Sequence, residues 1–283
     1  MTKYLLLLLN ITITYCSVSG QDFATYLKAN AIKVDRLDSL NKQVYDLLSD
    51  KRLIMIGEIH GTNEPAKFIA GLSTLFTRYG DSVQIGFEIP SELMTTFLNL
   101  QTDSSIYHSD FFSKGSTDCR ASVAWAATLS QLNNNPKIKI FFYDLNKSEN
   151  KNYDGRDSLM YVKIKNKIKE HLTWTTITLS GNVHNMLLPY KGQNKTANYL
   201  SKDTELNIAD KFCSLNHYYQ SGTMLNNIGN GLELRQVGNN SSDYSNLVDY
   251  DNYLFLFPNN RTNNYNGIYF TRTVTAAELA NKK

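Results

Sequence analysis

The sequence predicts an α/β protein: a mostly parallel central sheet with helices on both faces, a helical insertion, and a mixed or antiparallel C-terminal part. Three observations lead there. Between residues 34 and 180, short apolar runs alternate with segments of helical periodicity, the pattern of βαβ units. Each apolar run stops at a glycine or a carboxylate, at Gly57, Glu88, Asp144 and Gly181. Past residue 230 the expected strands are separated by Asn-, Ser- and Gly-rich turns instead of helices, which suits antiparallel or mixed pairing.

The elements follow in order. Lys3, the apolar stretch Leu5–Leu9 with Ile11–Ile13, and the small residues Ser17, Val18, Ser19 and Gly20 have the layout of a secretory signal peptide cleaved before Gln21. The run falls short of the roughly 20 apolar residues of a spanning helix. It implies an exported product, periplasmic or extracellular, without a transmembrane segment after cleavage and with one domain over residues 21–283. Tyr15 is bulky where a lipoprotein signal carries a small residue, which argues against a lipid anchor on Cys16.

Val34, Leu37, Leu40, Val44, Leu47 and Leu48 have helical spacing over residues 34–50. Leu53–Ile56 reads as a buried strand. Pro65 suits the first turn of a helix reaching Tyr79, and Val83–Phe87 is the next strand. The insertion, about residues 91–135, is helical in pattern with a break near Ser113–Asp118. Ile138–Tyr143 is a third strand, a helix spans about Asp157–Leu172, and Thr175–Leu179 is a fourth strand. Leu232–Val237, Tyr253–Phe257 and Ile268–Val274 complete the expected sheet.

Charge is balanced, with 29 basic and 26 acidic residues and no basic cluster, so nucleic acid is not an expected partner. Cys119 and Cys213 would remain after cleavage; an oxidising compartment permits them to pair, but spacing does not establish that they meet.

Ligand sites in open α/β sheets form beyond the carboxyl ends of the strands. Glu58 and His60 follow the first strand there, Glu88 ends the second, Asp144 follows the third and His184 follows the fourth. Glu64 lies on the loop of His60, where it is either a site carboxylate or a helix-start residue favoured by the helix dipole.

The run Gly57-Glu58-Ile59-His60-Gly61-Thr62-Asn63-Glu64 resembles the signature of the erythromycin-esterase-like, ChaN-like and Tiki-like superfamily. Phe87-Glu88, Arg156-Asp157 with Met160, and Gly181-Asn182-Val183-His184 resemble its further motifs in order, spanning about residues 50–190. One residue, not two, separates Glu58 from His60, a spacing closer to the ChaN-like branch, some of whose members bind haem. The resemblance implies a site built from Glu58, His60, Glu64, Glu88, Arg156 and His184.

Two function classes follow. Histidine, with an unperturbed pKa of about 6.5, suits His60 as a general base that activates water on an ester or amide, with His184 and Arg156 stabilising the oxyanion. No Gly-x-Ser-x-Gly elbow occurs, which argues against a serine esterase. A divalent-metal variant would use Glu58, His60, Glu88 and His184 as ligands. The other class is a haem- or iron-associated binding protein, for which the 18 tyrosines and the expected loop histidines His108 and His217 offer ligands. The partner is a small-molecule substrate in the first class and haem in the second. A silent interaction module, using the Asn-rich loops, ranks behind both.

Overall fold

The computed structural model describes residues 20–98, 103–114, 118–149, 155–227, 229, 231–238, 244, 246–258 and 263–282. The expected signal peptide lies outside these residues. The strands are Ile32–Lys33 (β1), Leu53–Glu58 (β2), Val83–Pro90 (β3), Ile138–Asp144 (β4), Thr175–Gly181 (β5), Phe212–Asn227 (β6), Leu232–Val237 (β7), Asn252–Leu256 (β8) and Gly267–Val274 (β9). The helices are Gly20–Asn30 (α1), Lys42–Leu48 (α2), Glu64–Arg78 (α3), Met94–Leu98 (α4), Asp110–Lys114 (α5), Val123–Asn133 (α6), Arg156–Glu170 (α7) and Thr196–Ser201 (α8).

They form one nine-stranded sheet in the order β1-β8-β9-β6-β2-β5-β3-β4, with β7 folded back on β6. The pairs β2–β5, β2–β6, β3–β4, β3–β5 and β6–β9 are parallel; β1–β8, β8–β9 and β6–β7 are antiparallel. The fold is thus the predicted mostly parallel, mixed sheet.

The four strands expected from the sequence are largely buried, so most side chains on both faces are apolar. Ile54, Ile56, Ile85, Phe87, Ile177 and Leu179 pack with residues of α2, α3 and α6, among them Leu48, Leu72, Phe76 and Leu129. Alternate residues Leu53, Met55, Phe141 and Tyr143 pack on the opposite side with Met160, Ile164 and Ile168 of α7 and Leu200 of α8. Full burial of each such side chain stabilises the fold by about 1.5–3 kcal/mol.

Register sets the functional edge. Glu58 pairs with Gly181 at the ends of β2 and β5, and Phe87 pairs with Leu179 one step before Glu88. Three of the expected polar positions therefore reach the same end of three adjacent strands.

Three features differ from the sequence reading. The helix expected over residues 34–50 is α2 alone, because Asn41 accepts a hydrogen bond from Val44 N (3.3 Å) and caps the helix there, while Val34, Leu37 and Leu40 are buried without being helical. The long β6, absent from the reading, carries Ser214, Asn216 and His217 buried inside the sheet, and these polar residues hide its strand pattern. Cys119 and Cys213 are free, buried thiols. Among the described residues no helix is long and apolar enough to cross a membrane.

Candidate active site

Glu58, the last residue of β2, is buried, and its Oε1 lies 2.6 Å from Nδ1 of His60 on the following loop. Its Oε2 accepts a hydrogen bond from Nε1 of Trp125 (3.1 Å). A second imidazole is arranged alike. His184 follows β5, and its Nδ1 lies 2.8 Å from Oδ1 of Asp157 in the first turn of α7. That same oxygen accepts from Thr196 N (2.9 Å) and Thr196 Oγ1 (2.8 Å), and Lys195 Nζ stands 3.3 Å from Oδ2.

An ionised carboxylate only accepts, so each Nδ1 carries the proton, and each neutral ring keeps its lone pair on Nε2. The two rings meet at Gly181. A Cβ placed on that glycine would stand 3.1 Å from His60 Nε2 and 3.7 Å from His184 Cδ2, so the glycine is what lets both rings approach the strand.

Glu88 lies beneath the pair. Gly181 N donates to its Oε2 (2.8 Å), His184 Nε2 is 3.7 Å from its Oε1, and both Arg156 and Arg120 (3.1 Å) engage that oxygen. Burial would push the Glu88 pKa up, but Arg120, the two histidines and Arg156 hold it far below the usual carboxylate range. Asp144 completes the cluster, accepting from Arg156 Nε and Nη2 (both 2.9 Å) and from Arg120 Nη1 (2.9 Å).

For His60, burial pulls the pKa down, but the charge and hydrogen bond of Glu58, with the charge of Glu88, outweigh it and place the pKa above the ordinary value. The His60 side chain is 28% exposed and that of His184 15%, so both are partly open to solvent.

The structure brings Glu58, His60, Glu88, Arg156 and His184 together. It leaves Glu64 outside the cluster: that carboxylate accepts from Thr275 Oγ1 (2.7 Å) and Thr275 N (3.1 Å), tying the start of α3 to the chain beyond β9. Arg156, expected to face an oxyanion, is instead occupied by Asp144 and Glu88. His217, expected in a loop, is fully buried in β6, stacked on Tyr269 (4.5 Å) and bonded through Nε2 to Thr271 Oγ1 (3.0 Å), with its pKa pulled down to about 3 by burial; no haem can reach it.

The residues named as a metal-ligand set, Glu58, His60, Glu88 and His184, each engage other side chains. Among the described residues no group of three or more His, Cys, Asp or Glu side chains is placed to hold a metal ion. Glu58 is taken up by His60 and Trp125, and the two arginines on Glu88 oppose a further cation. A groove of about 460 Å³ along α7 and α8, lined in part by Tyr161, Lys165, Asn198 and Asp203, shares none of these residues. Its charges answer one another, Lys165 pairing with Asp203 at 2.8 Å.

Arg120, Trp125 and Asp118 escaped the sequence reading. All three lie within the insertion: Asp118 ends the expected break, Arg120 and Trp125 follow it in the part read as helical, and no spacing ties them to a strand end.

By sequence, the chain matches no protein-family model and no curated protein. By structure it is similar to a Bacillus cereus protein (TM-score 0.65, 9% identity, covering 92% of this chain and 99% of that one). It is also similar to a succinoglycan biosynthesis protein (TM-score 0.64, 7% identity, 92% and 99% covered). A third is a mutant of erythromycin esterase EreC in its open conformation (TM-score 0.60, 10% identity, 86% and 96% covered). These likenesses agree with the resemblance carried by the two Gly-x-x-His segments, and the chain shares the fold of these three proteins.

Proposed function

We propose that the protein is an exported hydrolase that activates water with His60 and attacks an ester or amide carbonyl. The observation that carries this reading is the pair of imidazoles, each bonded through Nδ1 to a carboxylate and both abutting Gly181. This is the base-and-orienter arrangement of hydrolytic triads, without a nucleophilic side chain.

His60 Nε2 takes a proton from water, and the hydroxide adds to the carbonyl carbon. Glu58 stabilises the imidazolium that forms. When the tetrahedral adduct collapses, the C–O or C–N bond breaks and the leaving group takes the proton from His60, giving an acid and an alcohol or amine. His184, held by Asp157, abuts the same glycine and places a second polar group beside the adduct. Arg156 works indirectly, by fixing Glu88 and Asp144. Glu64 holds the loop of His60 through Thr275.

The test is turnover of a panel of chromogenic esters and amides by wild type and His60→Ala. Loss of the general base is expected to lower kcat by about a hundred- to ten-thousandfold, with the melting transition retained. Equal turnover by the folded variant rejects the assignment.

A further inference from the structure

The insertion between β3 and β4 reaches under the strand ends at two points. Arg120 extends from the segment before α6, and its Nη1 lies 3.1 Å from Glu88 Oε1 and 2.9 Å from Asp144 Oδ2 while also bonding the Glu88 carbonyl oxygen. Its Nε is held by Asp118 (2.7 Å). Between those two, Cys119 adopts a left-handed backbone (φ 68°) that non-glycine residues rarely accept, and its thiol donates to Leu225 O (3.2 Å). Such a conformation persists only where surrounding structure enforces it. At the second point, Trp125 of α6 is buried edge-on to Phe87 (ring centroids 5.6 Å apart) and points Nε1 at Glu58 Oε2.

Building on the hydrolase reading, we infer that the insertion completes the active site: Arg120 and Trp125 are positioning residues, Arg120 for Glu88 and Trp125 for Glu58. Each acts on a carboxylate that faces an imidazole. Arg120 and Arg156 are shared between Glu88 and Asp144, with Asp118 as a further carboxylate on Arg120. With one arginine removed, Glu88 would be a buried charge short of a partner, and His184 Nε2, 3.7 Å away, is the group available to fill the gap. That would take the free nitrogen out of the reaction space. Trp125 occupies the second oxygen of Glu58, so that the first stays in line with His60 Nδ1. Without the indole N–H, the carboxylate is free to turn away from the ring.

Two conservative variants test this. Trp125→Phe keeps the aromatic packing and removes the N–H. Arg120→Lys keeps the charge but replaces the planar fork with a single point donor, which cannot serve Glu88, Asp144 and Asp118 together. The readout is the ring ¹⁵N and ¹H spectrum of histidine-labelled protein, with His60→Asn and His184→Asn assigning the two rings. Trp125→Phe is expected to move the His60 ring signals and leave those of His184 in place; Arg120→Lys is expected to move both, because His184 Nε2 lies 3.7 Å from Glu88 and the charge of Glu88 also acts on His60. In active wild type, kcat of each variant is expected to fall about a hundredfold with KM little changed, the signature of a misplaced group. Unmoved ring signals in folded Trp125→Phe and Arg120→Lys overturn the inference. Should Arg120→Lys fail to fold, the His60-selective shift in Trp125→Phe decides it. The ring spectra need no turnover, so a wild type inactive on every ester and amide counts against hydrolysis alone.

Discussion

Glu58 and His60 are two residues apart in the chain, yet they form a buried carboxylate–imidazole pair at 2.6 Å because β2 ends between them and the loop turns the ring back over the strand. Ionised Glu58 makes the protonated ring the easier form to hold, which sets the pH at which the base becomes available.

That gives the first prediction. The base works only when neutral, so the acid limb of kcat/KM should lie above the ordinary histidine value of 6.5. Glu58→Gln removes the charge that raises the His60 pKa, so the limb should move to lower pH while kcat drops. A pH–rate profile of both proteins checks the direction of the shift.

Stability should depend on pH in two windows of opposite sign. His60 has a raised folded pKa, so its contribution is full below 6.5 and is lost as pH rises through the folded value. Glu88 has a lowered one, so its contribution is present above 4.5 and is lost as pH falls toward its folded value. Urea midpoints measured across pH should show the first effect vanish in His60→Asn. Glu88→Gln, which removes one of the carboxylates shared by Arg120 and Arg156 while Asp144 still pairs with both, should lower stability by about 1.5–3 kcal/mol.

Gly181→Ala tests the close approach of the two rings. The added methyl would stand 3.1 Å from His60 Nε2, tighter than normal packing, so the ring must shift by a few tenths of an ångström. The expected result is a folded protein with kcat reduced and His60 displaced in a crystal structure. Gly61→Ala should be harsher, since φ is 89° and its methyl would fall 1.8 Å from Leu225 O; a large loss of melting temperature is expected.

Cys119 and Cys213 are buried and unpaired, and burial raises their thiol pKa values to about 11 and about 12, with the charge of Asp118 adding to the first. Native protein should therefore resist alkylation at both positions, unfolded protein should be labelled at both, and reductant should leave the melting temperature unchanged. Mass spectrometry of the labelled peptides reads the outcome.

The sequence by itself determined the parallel core of the sheet and the end of it at which polar groups collect. Strands buried on both faces favour predominantly apolar runs, and runs such as Leu53–Ile56 and Val83–Phe87 stop where the polar positions begin, at Gly57 and Glu88. That local rule brought Glu58, His60, Glu88 and His184 into view, while Arg156, at the start of a helix, came only from the family resemblance. It could not reveal β6, whose buried Asn216 and His217 break the apolar pattern that marks a central strand. Nor could it separate Glu64 from the site, because the partner that claims its carboxylate, Thr275, is 211 positions away. Arg120 and Trp125 depended wholly on tertiary structure. Their partners Glu88 and Glu58 lie 32 and 67 positions earlier in the chain. Ion pairing and hydrogen bonding act through space, and only packing the insertion against the strand ends brought those charges within reach.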